Sequence, residues 1–167
     1  MDFTHEGLDA AEFDGFIRIA DSGGNVVPEQ PGVYVVLREK DTNPEYLTEG
    51  SWRDGPDARP PYAVGKLARK WVRGAVVVYF GATEAEGRTL RERVGELRDF
   101  GAGMSLDHHG GRAMWQLADR TDLVVAWRIA AWNEAAPQRN RLLREFRTAN
   151  RKLPFASWQV RRAVPQV

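Results

Sequence analysis

Residues 75–81, Ala-Val-Val-Val-Tyr-Phe-Gly, are the most strongly β-favouring stretch of this chain. β-Branched and aromatic side chains fit the pleated surface of a sheet, and the stretch is apolar on both faces. It is therefore predicted to be a strand buried between two layers. Two stretches of similar character, residues 33–38 and 123–129, are predicted to pair in the same sheet, with 33–38 central, and residues 13–19 are a weaker strand candidate.

The spacing of apolar residues between these strands predicts helices. A period of three to four residues marks a short amphipathic helix over 62–72 and another over 89–100, which starts with a capping box. A short helix is predicted over about 112–117, and a final helix from Pro137 onward because proline suits the first turn. The predicted fold class is α/β in the broad sense and α+β in the narrower one, with helices that flank a small mixed or antiparallel sheet of three strands.

Length and composition limit the class of protein. The chain has 167 residues, 43% of them hydrophobic, which suits a single domain with one core. It contains no cysteine, which excludes disulfides, thiolate metal sites and a cysteine nucleophile and suits a cytoplasmic location. The amino terminus lacks the pattern of a signal peptide, and no segment approaches the roughly 18 apolar residues of a membrane helix. Neither export nor membrane insertion is expected.

Charge and proline content divide the chain into a core and additions. Residues 1–30 hold seven acids and one base, whereas residues 139–167 hold eight bases and one acid. A basic end attracts phosphates, although a solvated helix face explains the same charges equally well. Residues 39–61 contain four prolines and are predicted to be a surface insertion. The predicted divisions are an acidic extension (1–30), a core (31–157) interrupted by the insertion, and a basic tail (158–167).

Two tyrosines occupy corresponding places in the predicted strands. Tyr34 ends the tripeptide Gly-Val-Tyr, Tyr79 begins Tyr-Phe-Gly, and Arg93 follows on the capped helix at the border of its apolar stripe. Together with Leu-Pro-Phe-Ala at 153–156, these motifs resemble the GIY-YIG nuclease family, whose tyrosine tripeptides lie on adjacent strands before a helix that carries an arginine. The resemblance extends from about residue 31 to about residue 157, and Gly-Gly-Arg at 110–112 is similar to a bacterial branch.

The resemblance implies a phosphodiesterase, specifically a DNA endonuclease that uses one divalent cation, Mg²⁺ or Mn²⁺. It implies that Tyr34 or Tyr79 helps to deprotonate the attacking water and that Arg93 stabilises charge on the phosphate. An ordinary phenol has a pKa of about 10, so this chemistry needs a nearby cation or guanidinium that favours phenolate. Each residue alone is better explained as an ordinary sheet aromatic or helix-border arginine, and only the joint pattern favours the nuclease interpretation.

The chain departs from the family at the metal ligand. The family binds its metal through a glutamate on the last helix, and the corresponding residues 138–141, Gln-Arg-Asn-Arg, contain no carboxylate. A hard divalent cation prefers oxygen anions, so Glu145 is the candidate ligand and Glu134 another, although a solvated helix acid and a loop acid are the simpler explanations of these two residues. The tyrosine tripeptides also begin 47 residues apart, at 32 and 79, which is wider than usual in the family and is explained by the insertion.

Basic residues near these motifs are candidates for substrate binding. They are His108, Arg112, Arg91 and Arg139. His108 is alternatively an exposed loop residue without a role in binding. Its neighbour His109 does not complete a zinc site with it, because adjacent residues seldom bind one ion.

Four functions remain open from the sequence. The first is a metal-dependent DNA endonuclease, and the second a catalytically degenerate descendant that binds nucleic acid through the basic final helix. The third is a protein-interaction domain that docks through its acidic start, and the fourth a pocket adapted to a small molecule. The expected partner is nucleic acid, most simply DNA, and no association with a membrane is expected.

Overall fold

The computed structural model describes residues 1–49, 60–104 and 111–158. Within these ranges the chain forms four helices and four strands, a mixed α+β arrangement as predicted. In chain order the elements are α1 (His5–Asp9), β1 (Asp14–Arg18), β2 (Gly32–Leu37), α2 (Val64–Lys70), β3 (Val77–Ala82), α3 (Leu90–Gly101), β4 (Val124–Ile129) and α4 (Trp132–Asn150). In the described parts of the chain, no helix is both long enough and apolar enough to cross a membrane.

The sheet has the strand order β1-β4-β2-β3, and each neighbouring pair is antiparallel. β2 is central, as predicted. The predicted number of three strands was wrong by one, because β1 also joins the sheet by pairing with the outer side of β4. The register of β1 is irregular between Asp14 and Ile17, and Gly15 and Phe16 have φ values of 101° and 48°. Such a distortion interrupts the regular alternation by which a strand is recognised in a sequence.

Each face of the sheet is covered by its own layer. Val33, Val35 and Leu37 of β2 pack with residues of α1 and α4, whereas Tyr34 and Val36 pack on the opposite face with residues of α3. Successive side chains of a strand point to opposite faces, and every residue of β2 is buried. The central strand is therefore enclosed on both sides, and Tyr34 lies on the α3 side.

The helix α3 begins where its sequence signal indicates. The Thr89 hydroxyl accepts a hydrogen bond from the Glu92 amide at 3.2 Å, and the Glu92 carboxylate accepts one from the Thr89 amide at 2.9 Å. This capping box was predicted, and the buried residues Leu90, Val94 and Leu97 form the predicted stripe. The helix consequently presents Arg93 toward the border of the core.

Two other predicted helices differ from those observed. The last helix begins at Trp132, five residues before the predicted start, and Pro137 lies inside it. Proline there leaves the Asn133 carbonyl without its helical partner, and both residues are exposed, so water can reach that group. The segment predicted as a helix over 112–117 is a 3-10 helix, Arg112–Gln116, preceded by Gly111 in a left-handed conformation.

One side chain joins the first part of the proline-rich insertion to the residue that directly follows it. The Gln116 amide nitrogen donates to the carbonyls of Leu47 and Tyr62 at 3.1 and 3.0 Å, and its oxygen accepts from the Tyr62 amide at 2.8 Å. Gln116 is fully buried. The described parts of the insertion are thus fixed to the 3-10 helix, and Tyr62 is held at a defined position.

Candidate functional site

Tyr34 and Tyr79 lie side by side on β2 and β3. Their ring centroids are 6.0 Å apart, and the ring planes form an angle of 54°. In the β2–β3 register Tyr34 is opposite Gly81, and a Cβ at position 81 would overlap the Tyr34 ring. A Cβ at Gly32 would likewise overlap the Arg128 carbonyl on β4. Both glycines of the tyrosine tripeptides are therefore required by close packing within the sheet.

Both phenols are buried, with Tyr34 0% and Tyr79 8% exposed. Burial raises the pKa of Tyr34 well above its ordinary value, the neighbouring Tyr79 raises it further, and Arg93 and Arg139 oppose this by less. Burial also raises the pKa of Tyr79 against the opposing effect of the same two arginines. The guanidiniums thus act in the direction that phenolate chemistry requires, but burial outweighs them. At neutral pH both phenols stay protonated and serve as hydrogen-bond donors.

Arg93 reaches this pair of phenols from α3. Its side chain is 22% exposed, and its Nη1 lies 2.5 Å from the carboxylate of Glu96, one turn along the helix. Glu96 also pairs with Arg88. The Nε of Arg93 and the hydroxyl of Tyr34 are buried, and no described residue offers either of them a hydrogen bond of standard geometry. The Tyr34 hydroxyl still interacts with that of Tyr79, an interaction that raises the pKa of Tyr34, so the Nε of Arg93 is the donor of this site that has no acceptor among the described residues.

Arg139 reaches the phenols from α4. It is 8% exposed, its guanidinium pairs with Glu84 in the turn after β3, and its Nη2 donates to Asn140 at 3.1 Å. Apart from burial, the charge of Arg139 has the largest effect on the pKa of Tyr79, and it lowers that pKa. A buried cation thus occupies the region of α4 where the resemblance implies a metal-binding glutamate. We refer to Tyr34, Tyr79, Arg93 and Arg139 as the tyrosine–arginine site.

The carboxylates of this region do not fit a hard divalent cation. Glu84 and Glu96 are both engaged by guanidiniums. Glu145, the predicted ligand, instead faces the amino terminus, with its carboxylate 3.8 Å from the Met1 nitrogen and 4.0 Å from Arg141 Nε. Glu134 is exposed in the first turn of α4. Over residues 1–49, 60–104 and 111–158 there is no cluster of three metal-ligating side chains.

Two of the other predicted substrate-binding residues, Arg112 and Arg91, lie outside the tyrosine–arginine site. Arg112 is buried, stacks on the ring of Tyr62 at 4.6 Å and donates to the Pro60 carbonyl. Arg91 pairs with Glu29 at 2.5 Å and donates to the Val27 carbonyl at 2.8 Å, and so fastens α3 to the segment before β2. His108 and its neighbour His109 lie outside the described residues.

The sequence did not lead us to Glu96 and Glu84, the carboxylates that pair with Arg93 and Arg139. Glu96 lies three residues after Arg93, a spacing at which oppositely charged side chains meet on a helix, so this contact was accessible to prediction. Glu84 meets Arg139 across 55 residues of chain, and no local signal indicates that contact.

No protein-family model, no curated protein and no solved structure matches this chain. The functional proposal therefore depends on the geometry of the site and on the motifs it contains.

Proposed function

We propose that this chain is a cytoplasmic, GIY-YIG-like domain that binds nucleic acid, most simply DNA, and holds a backbone phosphate at the tyrosine–arginine site. The proposal rests on two guanidiniums, from different helices, that both act on the adjacent and buried phenols of Tyr34 and Tyr79. Guanidinium groups offer paired donors that match phosphate oxygens. The site is therefore rich in donors for an anionic oxygen.

A buried donor without a partner supports the same ligand. Such a donor costs about 1–3 kcal/mol, and the Nε of Arg93 is in this condition among the described residues. A phosphate oxygen that entered beside Arg93 would satisfy it. Entry requires the phosphate to compete with Glu84 and Glu96, which engage the arginines in the free protein.

Hydrolysis of the phosphodiester is the second candidate function. It is favoured by the proximity of Tyr34 and Tyr79 and by the action of Arg93 on both of their pKa values, since the family pattern implies this trio in a Mg²⁺- or Mn²⁺-dependent endonuclease. The raised pKa values count against a phenolate base. The engaged carboxylates count against a bound cation. Binding without cleavage is therefore the better-supported function.

The binding proposal is tested by fluorescence anisotropy with a labelled DNA oligonucleotide, in which Arg139→Gln is compared with Arg141→Gln. Both changes remove one positive charge from α4, but Arg139 is buried beside the phenols whereas Arg141 is exposed. We expect Arg139→Gln to weaken binding about tenfold, in line with the loss of a charged hydrogen bond, and Arg141→Gln to change it less than twofold. Equal effects would contradict a phosphate at this site.

Cleavage is tested on supercoiled plasmid with Mg²⁺ or Mn²⁺. We expect the wild-type protein to retard the plasmid in a gel without nicking it. Nicking that disappears in both Tyr34→Phe and Arg93→Ala would instead establish the endonuclease. A protein that neither binds nor cuts DNA would remove nucleic acid as the ligand of this site.

A further inference from the structure

A second basic surface lies beside the tyrosine–arginine site, on the same layer of the fold. Lys66, Arg69 and Lys70 of α2 and Lys152 after α4 line an open groove whose other wall is the segment 153–157. In the described part of the chain, none of these four cations pairs with a carboxylate, and no acidic residue lines the groove. By contrast, Arg91, like the two arginines of the site, is neutralised by a glutamate. The groove thus carries uncompensated positive charge.

Two aromatic rings border these cations. The ring centroids of Tyr62 and Trp158 are 4.3 Å apart, and the Lys66 ammonium lies 4.9 and 4.5 Å from them. The Lys70 ammonium lies 5.5 Å from the Trp158 ring. Both rings are partly exposed, and both are held in place, Tyr62 by Gln116 and the Trp158 indole by the Phe155 carbonyl at 2.8 Å. We call Tyr62, Lys66, Arg69, Lys70, Lys152 and Trp158 the aromatic–lysine surface.

A chain of contacts joins this surface to the tyrosine–arginine site. A Cβ placed on Gly111 would lie 3.3 Å from the ring of Tyr79, and the next residue, Arg112, stacks on Tyr62. Residues 153–158 are also fastened to β3, since the Ala156 amide donates to the Val78 carbonyl at 2.8 Å. Basic and aromatic groups therefore follow one another from Tyr79 to Trp158.

We infer that the aromatic–lysine surface binds the backbone of a single nucleic-acid strand, one phosphate of which occupies the tyrosine–arginine site. This inference rests on the proposed function and extends it. A groove of cations combined with aromatic rings is how proteins bind single strands without reading sequence, because phosphates follow the cations while bases stack on the rings. The phosphates lie along Lys66, Lys70 and Lys152, and a base stacks on Trp158.

The inference is tested with a fluorescein-labelled oligothymidylate of about 20 nucleotides, by measuring binding over a range of salt concentrations. The double variant Lys66→Ala/Lys70→Ala is compared with Arg144→Ala/Arg147→Ala, which removes equal charge from exposed positions on α4. We expect the lysine variant to bind at least about tenfold more weakly and to lower the salt slope by about 1.4, since each phosphate contact on a single strand contributes about 0.7. We expect the arginine variant to change affinity less than twofold. Equal effects of the two double variants would overturn the inference and leave the proposed function standing.

A second variant tests the stacked base. We expect Trp158→Ala to weaken binding of the single strand by about tenfold and binding of a duplex of the same sequence by less than twofold. Equal loss on both probes would overturn stacking. Competition by polyglutamate as effective as that by unlabelled oligothymidylate would assign the surface to an acidic peptide instead. If the wild-type protein binds neither probe, this inference and the proposed function both fail.

Discussion

At the scale of single residues, the most consequential feature is the enclosure of the phenol of Tyr34. The side chain is completely buried and lies over Gly81. Burial keeps this phenol protonated at neutral pH by raising its pKa. A group of this kind is ready to donate a hydrogen bond to an anion and is poorly suited to accept a proton from water.

The raised pKa of Tyr34 predicts how stability depends on pH. Below about pH 10 the phenol is protonated in both the folded and the unfolded chain. Above that pH the unfolded chain loses the proton first, so the free energy of unfolding falls as pH rises. We expect urea unfolding of Tyr34→Phe to show a shallower decline between about pH 9 and pH 11 than that of the wild-type protein. Equal declines would contradict the buried, protonated phenol.

At the scale of elements, α3 carries both the group that we propose to bind phosphate and its competitor. Arg93 and Glu96 lie one turn apart, and Glu96 bridges Arg93 and Arg88. The helix was predictable because its capping box and apolar stripe are local signals, whereas β1 was weakly signalled because its backbone is distorted. The contact between Glu84 and Arg139 was not predictable, since it joins a turn to a distant helix and depends on the packing of α4.

Removal of the competing carboxylate on α3 should strengthen DNA binding. In Glu96→Gln the guanidinium of Arg93 loses its ionic partner, so we expect affinity for a DNA oligonucleotide to rise by about two- to fivefold, because an ion pair near the surface contributes up to about 1 kcal/mol. Glu86→Gln is the matched control, because it removes the same charge at an exposed position before the helix. Anisotropy titrations that give the two variants equal affinities would show that Glu96 does not compete with DNA.

At the scale of the whole molecule, three separate segments meet around Gln116. Its amide binds Leu47 within the insertion and Tyr62 directly after it, and its 3-10 helix follows Gly111, where an added Cβ would lie 3.3 Å from the Tyr79 ring. The sequence predicted an insertion from its prolines, but it could not indicate that the insertion returns to the sheet face that carries the tyrosines. The return of the insertion is fixed by hydrogen bonds between residues that are 54 and 69 positions apart in the sequence.

Replacement of Gln116 should loosen the insertion. In Gln116→Leu the carbonyls of Leu47 and Tyr62 and the Tyr62 amide lose their partners, so we expect a loss of about 2–4 kcal/mol in the free energy of unfolding. We also expect faster proteolysis within residues 39–61. Gln30→Leu at an exposed position should change neither quantity. An unchanged urea midpoint and an unchanged cleavage rate in Gln116→Leu would contradict this role.

The two outer strands of the sheet have a consequence for self-association. An unpaired sheet edge can recruit a strand from another molecule and so begin aggregation. At one edge, β1 is bent by the positive φ values of Gly15 and Phe16 and is flanked by the exposed charges of Asp14 and Arg18. At the other, the Val78 carbonyl and the Phe80 amide of β3 are already bonded to Ala156 and Ser157. Neither edge offers a flat ladder to a second copy, so concentrated protein should resist the growth of intermolecular β-sheet.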